Sequence, residues 1–454
     1  MPALVRIEEL LWKELTLNKI TSEVNGKISS STLKFDKYEV TEFDNGLRVV
    51  SEYIPHFRSI SLGFWIGVGS RSETHEINGI THLIEHLLFK GTKTRSYRDI
   101  AIAFDSLGAE FNAFTDKENT CVYADFLDTH LDQCVELLFD VVFNPSFLPE
   151  NIKTEKKIVL EEIKMVEDNP SDNIFNYFYK VILNGHPLSL PVLGTRKSLG
   201  NLDSDVIWQY FSKNFTLNNI VISAAGNIKH SDLIEAIKKH IESINNTNNG
   251  KKRSYLKSLN ISNPEIICAK KIYKRKIKAT HLCYGGIGCR RSSDDRFALS
   301  LLTNMIGGNM SSRLFQKVRE EKGLSYSIFA SNTQYIDTGV VCIYAASSPK
   351  NVYKVLDLIE EEIEDIKKNG VKEIELERAK ENMKGGIVLN IEDISSRMSR
   401  LGKSLLMDNK ILTIDEIMKK IDRVSLKDVE EVVHKYFQPE RMSLVVMGDM
   451  AKGG

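Results

Sequence analysis

Along residues 38–54, YEVTEFDNGLRVVSEYI, apolar and polar positions alternate and the alternation breaks at Asp44, Asn45 and Gly46. A period of two interrupted by Asn-Gly predicts a β-hairpin. The stretch ISLGFWIGVGS (60–70) is almost continuously apolar and predicts a buried strand, with a helix starting near Asn78. Residues 111–126 read as strand, 130–143 and 150–166 as helices, and 201–228 as a helix followed by the strand NNIVISAAGNI. Residues 1–37 are polar, contain the serine-rich ISSSTLKF, and are expected to form a helical or loose N-terminal extension.

The pattern fails at 244–258, INNTNNGKKRSYLKS, a composition that marks a linker. Beyond it the first half is replayed. NFTLNNIVISAAGNI (214–228) aligns without gaps on YFQPERMSLVVMGDM (436–450), and LGFWIGVGSR (62–71) on LCYGGIGCRR (282–291), at offsets of 222 and 220 residues. Strand–glycine patterns can recur by chance, but two matches at nearly one offset argue for an internal duplication. The expected fold is therefore α+β. Two duplicated halves (38–243 and 259–454) would each carry a mostly antiparallel sheet with helices packed on one face, and together form a clamshell.

Composition narrows the picture. A chain of 454 residues has room for two to four domains at roughly 100–200 residues each. With 42% hydrophobic and 27% charged residues, wholesale disorder is excluded. The 61 basic residues balance the 61 acidic ones, so charge gives no sign of a nucleic-acid or anionic-membrane partner. Every apolar run falls far short of the roughly 18 residues of a membrane span. The six cysteines include no CxxC pair, which argues against a disulfide framework or a structural zinc knot and for reduced thiols. The opening MPALVRIEELLWKELTLNKI has the form of neither a secretory signal nor a transit peptide. A bacterial cytoplasm is the expected compartment, with the mitochondrial matrix as the alternative.

The chemistry concentrates in THLIEHLLF, which holds His82, Glu85 and His86. Residues four apart on a helix share a face, so both imidazoles can reach one metal ion. Glu85 shares that face and can take a proton from a water beside the metal. The alternative is a pair of satisfied core histidines next to a capping glutamate. Leu83, Ile84, Leu87, Leu88 and Phe89 make the helix apolar, however, and polar groups on it need a compensating partner. The spacing is the inverted H-x-x-E-H, and catalytic zinc takes three protein ligands, so one is missing from this helix. The helix at 150–166 supplies candidates. Ile158, Val159, Ile163 and Val166 form its expected apolar stripe, with Glu155 and Glu162 inside it, while Glu161 faces solvent with Lys157 and Lys164. Glu162 is the favoured third ligand, and Glu155 the carboxylate that orients a histidine.

HLIEH, with a glutamate 76 residues after its last histidine and another seven before that one, resembles the pitrilysin (insulinase) family of zinc metallopeptidases. Within it the chain is most similar to bacterial processing-peptidase-like members and to the catalytic beta subunit of the mitochondrial processing peptidase, over residues 38–450. The resemblance implies His82, His86 and Glu162 as ligands of one zinc ion per chain, Glu85 as general base and Glu155 in support. It implies an endopeptidase that cleaves extended peptides or presequence-like segments in a closed chamber, and a homodimer. GAEFNAFTDKENTCVYAD (108–125) resembles the family's active-site edge strand, where Asn112 and Ala113 would pair with substrate backbone. SSRLFQKVREEKGLSYSI places Arg319 and Tyr326 where the family has a pair that binds a substrate carbonyl or oxyanion; taken alone they read as surface charge and a strand aromatic. At the 220-residue offset the zinc motif meets Leu302, Met305 and Ile306, so the second half is expected to bind no metal. The glycine-rich loop of the mitochondrial alpha subunit is also missing, since GGNMSSRL has only two adjacent glycines. Two other readings stand beside this one: a non-catalytic scaffold or core subunit of a larger complex, which usually loses part of the zinc set, and a peptidase dedicated to maturing a single peptide.

Overall fold

A computed structural model of the chain describes residues 37–242, 244 and 264–450, so the expected N-terminal extension and linker lie almost wholly outside the described residues. The predicted hairpin forms from β1 (Tyr38–Glu42) and β2 (Arg48–Tyr53). With β3 (Ser59–Ile66), β4 (Glu110–Thr115), β5 (Thr120–Leu127) and β6 (Ile220–Gly226) it makes a six-stranded sheet in the order β1-β2-β6-β3-β5-β4. The pairing is antiparallel except between β2 and β6. The segment 111–126, expected as one strand, is two. Four successive polar residues, 116–119, turn the chain back so that Thr115 faces Thr120, and Asp116 N donates to Asn119 O at 2.8 Å.

The second sheet holds β7 (Lys270–Tyr273), β8 (Thr280–Gly288), β9 (Ser325–Gln334), β10 (Gly339–Ser347) and β11 (Ser443–Met447), in the order β7-β11-β8-β10-β9. Its strands match β2-β6-β3-β5-β4 one for one, down to the single parallel pair at the same place. The duplication read from two segments thus extends through both sheets.

Most helices of each half pack on one face of its own sheet, as expected. In the first half Leu83, Leu87 and Val142 meet Leu62, Phe64 and Val122 in one core. In the second, Leu302, Ile306 and Ile359 meet Leu282, Val341 and Ile343. The opposite faces are covered by an exchange. Helix Pro170–Ile182 leaves the first half and lays Ile174, Phe178 and Ile182 on Cys283, Cys342 and Val445 of the second sheet. Helix Ile394–Asp408 reciprocates, laying Met398, Leu401 and Leu405 on Val50, Trp65 and Val221. Each such side chain contributes on the order of 1.5–3 kcal/mol on burial. The second of these contacts depends on missing side chains: a Cβ at Gly402 would enter the Trp65 ring, and one at Gly63 would collide with Met398.

A buried ionic knot also joins the halves. Arg71 Nη1 donates to Glu118 at 2.6 Å and to Asp337 Oδ1 at 2.8 Å, and His186 Nε2 lies 3.4 Å from Asp337. Burial alone would push the Asp337 carboxyl up. The hydrogen bonds and charges of His186 and Arg71 outweigh it and hold that group at about 2. All six cysteines are free thiols, five of them buried. Among the described residues no helix is long and apolar enough to cross a membrane.

Candidate active site

The motif helix, Ile80–Leu88, starts without a side-chain cap of its own, at Gly79 in the left-handed region (φ 92°). A Cβ there would sit 2.7 Å from Leu193 O, so the tight entry needs glycine. Glu73 replaces the missing cap. Its carboxylate accepts from Gly79 N (2.7 Å), Thr81 N (2.9 Å) and Asn78 Nδ2 (2.7 Å), satisfying helix-start donors that would otherwise be orphaned. Burial raises the Glu73 carboxyl to about 7 against those donated bonds. Leu83, Ile84, Leu87 and Leu88 then anchor the helix in the core and fix its rotation, leaving His82, Glu85 and His86 on the open side, partly exposed.

The facing helix, Pro149–Asp168, buries Ile152, Glu155, Val159 and Ile163. Ile158, expected in this stripe, is instead 41% exposed and Val166 is only partly buried. The buried face lies about one residue away from the expected one, because the core contacts run from Ile152 through Glu155 rather than through Ile158. Glu161 points to solvent beside Lys164 at 3.6 Å, as expected. Glu162 sits at the margin of the buried face and reaches the motif helix.

His82, His86 and Glu162 each offer one ligand atom, and these atoms lie within 4.8 Å of one another. Glu162 carboxylate oxygens stand 3.8 Å from His82 Nε2 and 3.6 Å from His86 Nε2. Ligands at about 2.0–2.1 Å from a tetrahedral zinc stand roughly 3.3 Å apart, so the set is near the spacing one ion requires while too wide for mutual hydrogen bonds. The donor types, two imidazoles and a carboxylate, suit zinc and leave a fourth position for water. Burial, then the neighbouring His86 charge, depress His82 to about 4, which keeps its ring neutral and its lone pair available. His86 Nδ1 lies 3.1 Å from Glu155, whose other oxygen takes Lys90 Nζ at 3.0 Å. This chain fixes the His86 ring with Nε2 turned toward Glu162.

Glu85 lies on the same helical face. Thr115 Oγ1 donates to Glu85 Oε2 at 2.6 Å, which leaves the carboxylate oriented with its other oxygen open. Burial, helped by the Glu162 charge, raises the Glu85 pKa against the Thr115 bond and His86, which suits a proton acceptor. Thr115 belongs to β4, the sheet's edge strand, which also carries Asn112 and Ala113. Asn112 Oδ1 accepts from Ala113 N at 2.8 Å, so that backbone donor is held by its neighbour's side chain.

Arg319 and Tyr326 stand apart from this cluster. Arg319, on the short π-helix Phe315–Glu321, lies over the Phe315 ring at 4.7 Å and 3.7 Å from Glu320. Tyr326 is on β9, the duplicate of β4 at the edge of the second sheet, and is 77% exposed. Among the described residues no hydrogen bond or ion pair joins either to His82, Glu85, His86 or Glu162. Leu302, Met305 and Ile306 are buried core residues, and none offers the imidazole nitrogen, carboxylate or thiolate that zinc takes. Sequence reasoning missed Thr115, Lys90 and Glu73. Lys90 was within reach, since it is one helical turn beyond His86; Thr115 and Glu73 arrive only through the tertiary fold.

Residues 48–196 match the family model described as insulinase (peptidase family M16), and residues 201–383 match the peptidase M16 inactive domain. The chain is 39% identical over 393 residues to the uncharacterized zinc protease YmxG of Bacillus subtilis, covering 87% of this chain and 94% of that one. It is 37% identical to an uncharacterized zinc protease of Mycobacterium leprae, covering 90% and 92%. The fold is similar to that of a protease from Helicobacter pylori, with a TM-score of 0.85 and 22% identity over 90% of this chain and 99% of that one. A peptidase M16 inactive domain from Pseudomonas fluorescens also scores 0.85, at 20% identity over 92% and 99%.

Proposed function

Because the chain belongs to the insulinase family of zinc metallopeptidases (peptidase family M16), we propose that it is an endopeptidase that hydrolyses extended peptides at His82, Glu85, His86 and Glu162. The observation that carries this reading is the convergence of two imidazoles and a carboxylate beside a second carboxylate steadied by Thr115. His82, His86 and Glu162 would hold the ion, and zinc, when bound, acidifies a water and polarises the scissile carbonyl. Glu85 accepts the water's proton on its open oxygen and returns it to the leaving amine. Lys90 and Glu155 keep the His86 ring in the tautomer and orientation that presents Nε2.

The substrate, in this reading, adds to the free edge of β4, where the Asn112 amide swings aside and Ala113 N–H pairs with peptide backbone. Arg319 and Tyr326 would donate to the substrate carbonyl or oxyanion from the second half; their exposure leaves them free to do so. The preferred substrates are unfolded, presequence-like segments enclosed in a chamber, and the working unit is a homodimer; both rest on the family resemblance. Retention of every zinc-set residue weighs against a purely scaffolding role.

Glu85→Gln tests the assignment. The variant should bind metal normally by elemental analysis and lose turnover of a fluorogenic peptide by about a hundredfold or more. Turnover within about tenfold of the unaltered chain rejects Glu85 as the base.

A further inference from the structure

The two halves differ where their exchanged helices end. After Pro170–Ile182 the chain runs through 183–195, where the turn Pro187–Ser189 packs against the turn Ser70–Ser72 and His186 reaches Asp337. After Ile394–Asp408 it reaches the next helix, Ile414–Asp422, through 409–413 alone. Among the described residues, no such turn is laid over the duplicate of the Ser70–Ser72 turn, residues 290–292. A cavity of about 500 Å³ opens there, between residues 290–297, the end of the exchanged helix and Lys420.

Its walls carry more positive than negative charge. Asp408 is taken by Arg291 in a bidentate pair at 2.7 and 2.9 Å, and Asp337 by Arg71 and His186. Arg290, Arg296, Lys410 and Lys420 remain, and among the described residues none has a carboxylate within ion-pair distance; Asp294 is the one other acid in the wall. Glu416 feels Lys410 and Lys420 only at longer range, because its carboxylate caps Thr413 N at 2.8 Å. Arg296 and Lys420 both stand over the ring of Phe297, at 4.8 and 5.7 Å. Burial holds the Arg296 pKa below its ordinary range although Asp408 and, more weakly, Asp294 draw it up, and the Arg291 charge adds to the lowering. Arg296 Nη1 donates to Arg291 O at 2.8 Å, which leaves the rest of the guanidinium fork for a ligand. Cations gathered from three separate elements around one hollow repel one another until an anion lies between them.

We propose that this cavity binds a small polyanion, a ligand bearing a di- or triphosphate group, held by Arg296, Lys420, Lys410 and Arg290. The guanidinium forks suit phosphate oxygens, and the lysines supply point charges on the open side. The volume holds a nucleotide-sized molecule. Occupancy ties the start of helix Asp295–Gly307, the end of the exchanged helix and helix Ile414–Asp422 together, and so stabilises the chain by linkage. The inference is independent of the peptidase reading.

Calorimetric titration of the full chain with inorganic pyrophosphate at low ionic strength tests it, with adenosine triphosphate as a second titrant. One site per chain is expected, weakening as salt rises. Arg296→Ala combined with Lys420→Ala should weaken it by about tenfold or more. Lys410→Glu, at an exposed position, should weaken it too and covers the case in which the double variant fails to fold. Tighter binding of the nucleotide supports the proposal and identifies the phosphate source. Absence of binding by either titrant overturns it. So does binding unchanged in the variants, which places the anion elsewhere, the zinc cluster included, and so does tighter binding of a glutamate-rich peptide than of pyrophosphate.

Discussion

Glu162 and Glu155 lie on one helix seven residues apart, yet they meet the histidines in different ways. Glu162 faces both Nε2 atoms, whereas Glu155 touches only the far nitrogen of His86 and shares itself with Lys90. Glu162→Gln should therefore lower metal content itself, because a neutral amide is a poor zinc ligand. Glu155→Gln should weaken metal binding by about tenfold to a hundredfold, as loss of an orienting partner does. Competition with a chelator measures both, and equal damage from the solvent-facing Glu161→Gln would reject the division of roles. The histidines and Glu85 were legible because one helical period fixes their face. Glu162 followed from the same period on the facing helix, but Ile158 misled: the apolar run around Val159 shows that a face is buried without showing which of two neighbouring residues leads it. Thr115 was invisible, because a strand threonine becomes a partner of Glu85 only when the fold brings β4 beside the helix.

At the scale of elements, the motif helix owes its position to Glu73, a residue outside it. A carboxyl whose pKa is raised on folding binds its proton more tightly in the folded chain. Glu73 rises from 4.5 to about 7, so its contribution to stability is complete below about 4.5 and is lost as pH climbs through about 7. Glu73→Gln should flatten that part of the profile, and denaturant midpoints taken on either side of the window would show it. An identical pH slope in the variant would show that Glu73 does not titrate there. Glu73→Ala should cost more, about 1–3 kcal/mol for each buried N–H left without an acceptor. Among elements, the β1–β2 hairpin was readable because Asn-Gly has few other conformational uses. The β4–β5 turn was not, because its residues, Asp-Lys-Glu-Asn, include neither glycine nor proline to punctuate the strand.

The whole molecule is tied together by the exchange of helices. Each sheet finishes one of its faces with residues from the other half, so fragments spanning 37–242 and 264–450 should each aggregate or stay unfolded alone and fold when produced together. A cooperative thermal transition from either fragment by itself would refute this. Met398→Ala should destabilise the intact chain by about 2–5 kcal/mol, although Met398 lies far in sequence from the sheet it covers. The duplication was legible because strand–glycine signatures repeat at nearly one offset. The exchange was not: Pro170–Ile182 is amphipathic whichever sheet it meets, and no local pattern states which one that is.

The exchange also sets a clock on synthesis. Once β6 has left the ribosome, the first sheet has all its strands, but the helix that covers Trp65 lies about 170 residues further on. At roughly 5–20 residues per second that is on the order of 10–30 s in which an apolar strand surface faces water uncovered, a window that invites chaperone capture of the nascent chain.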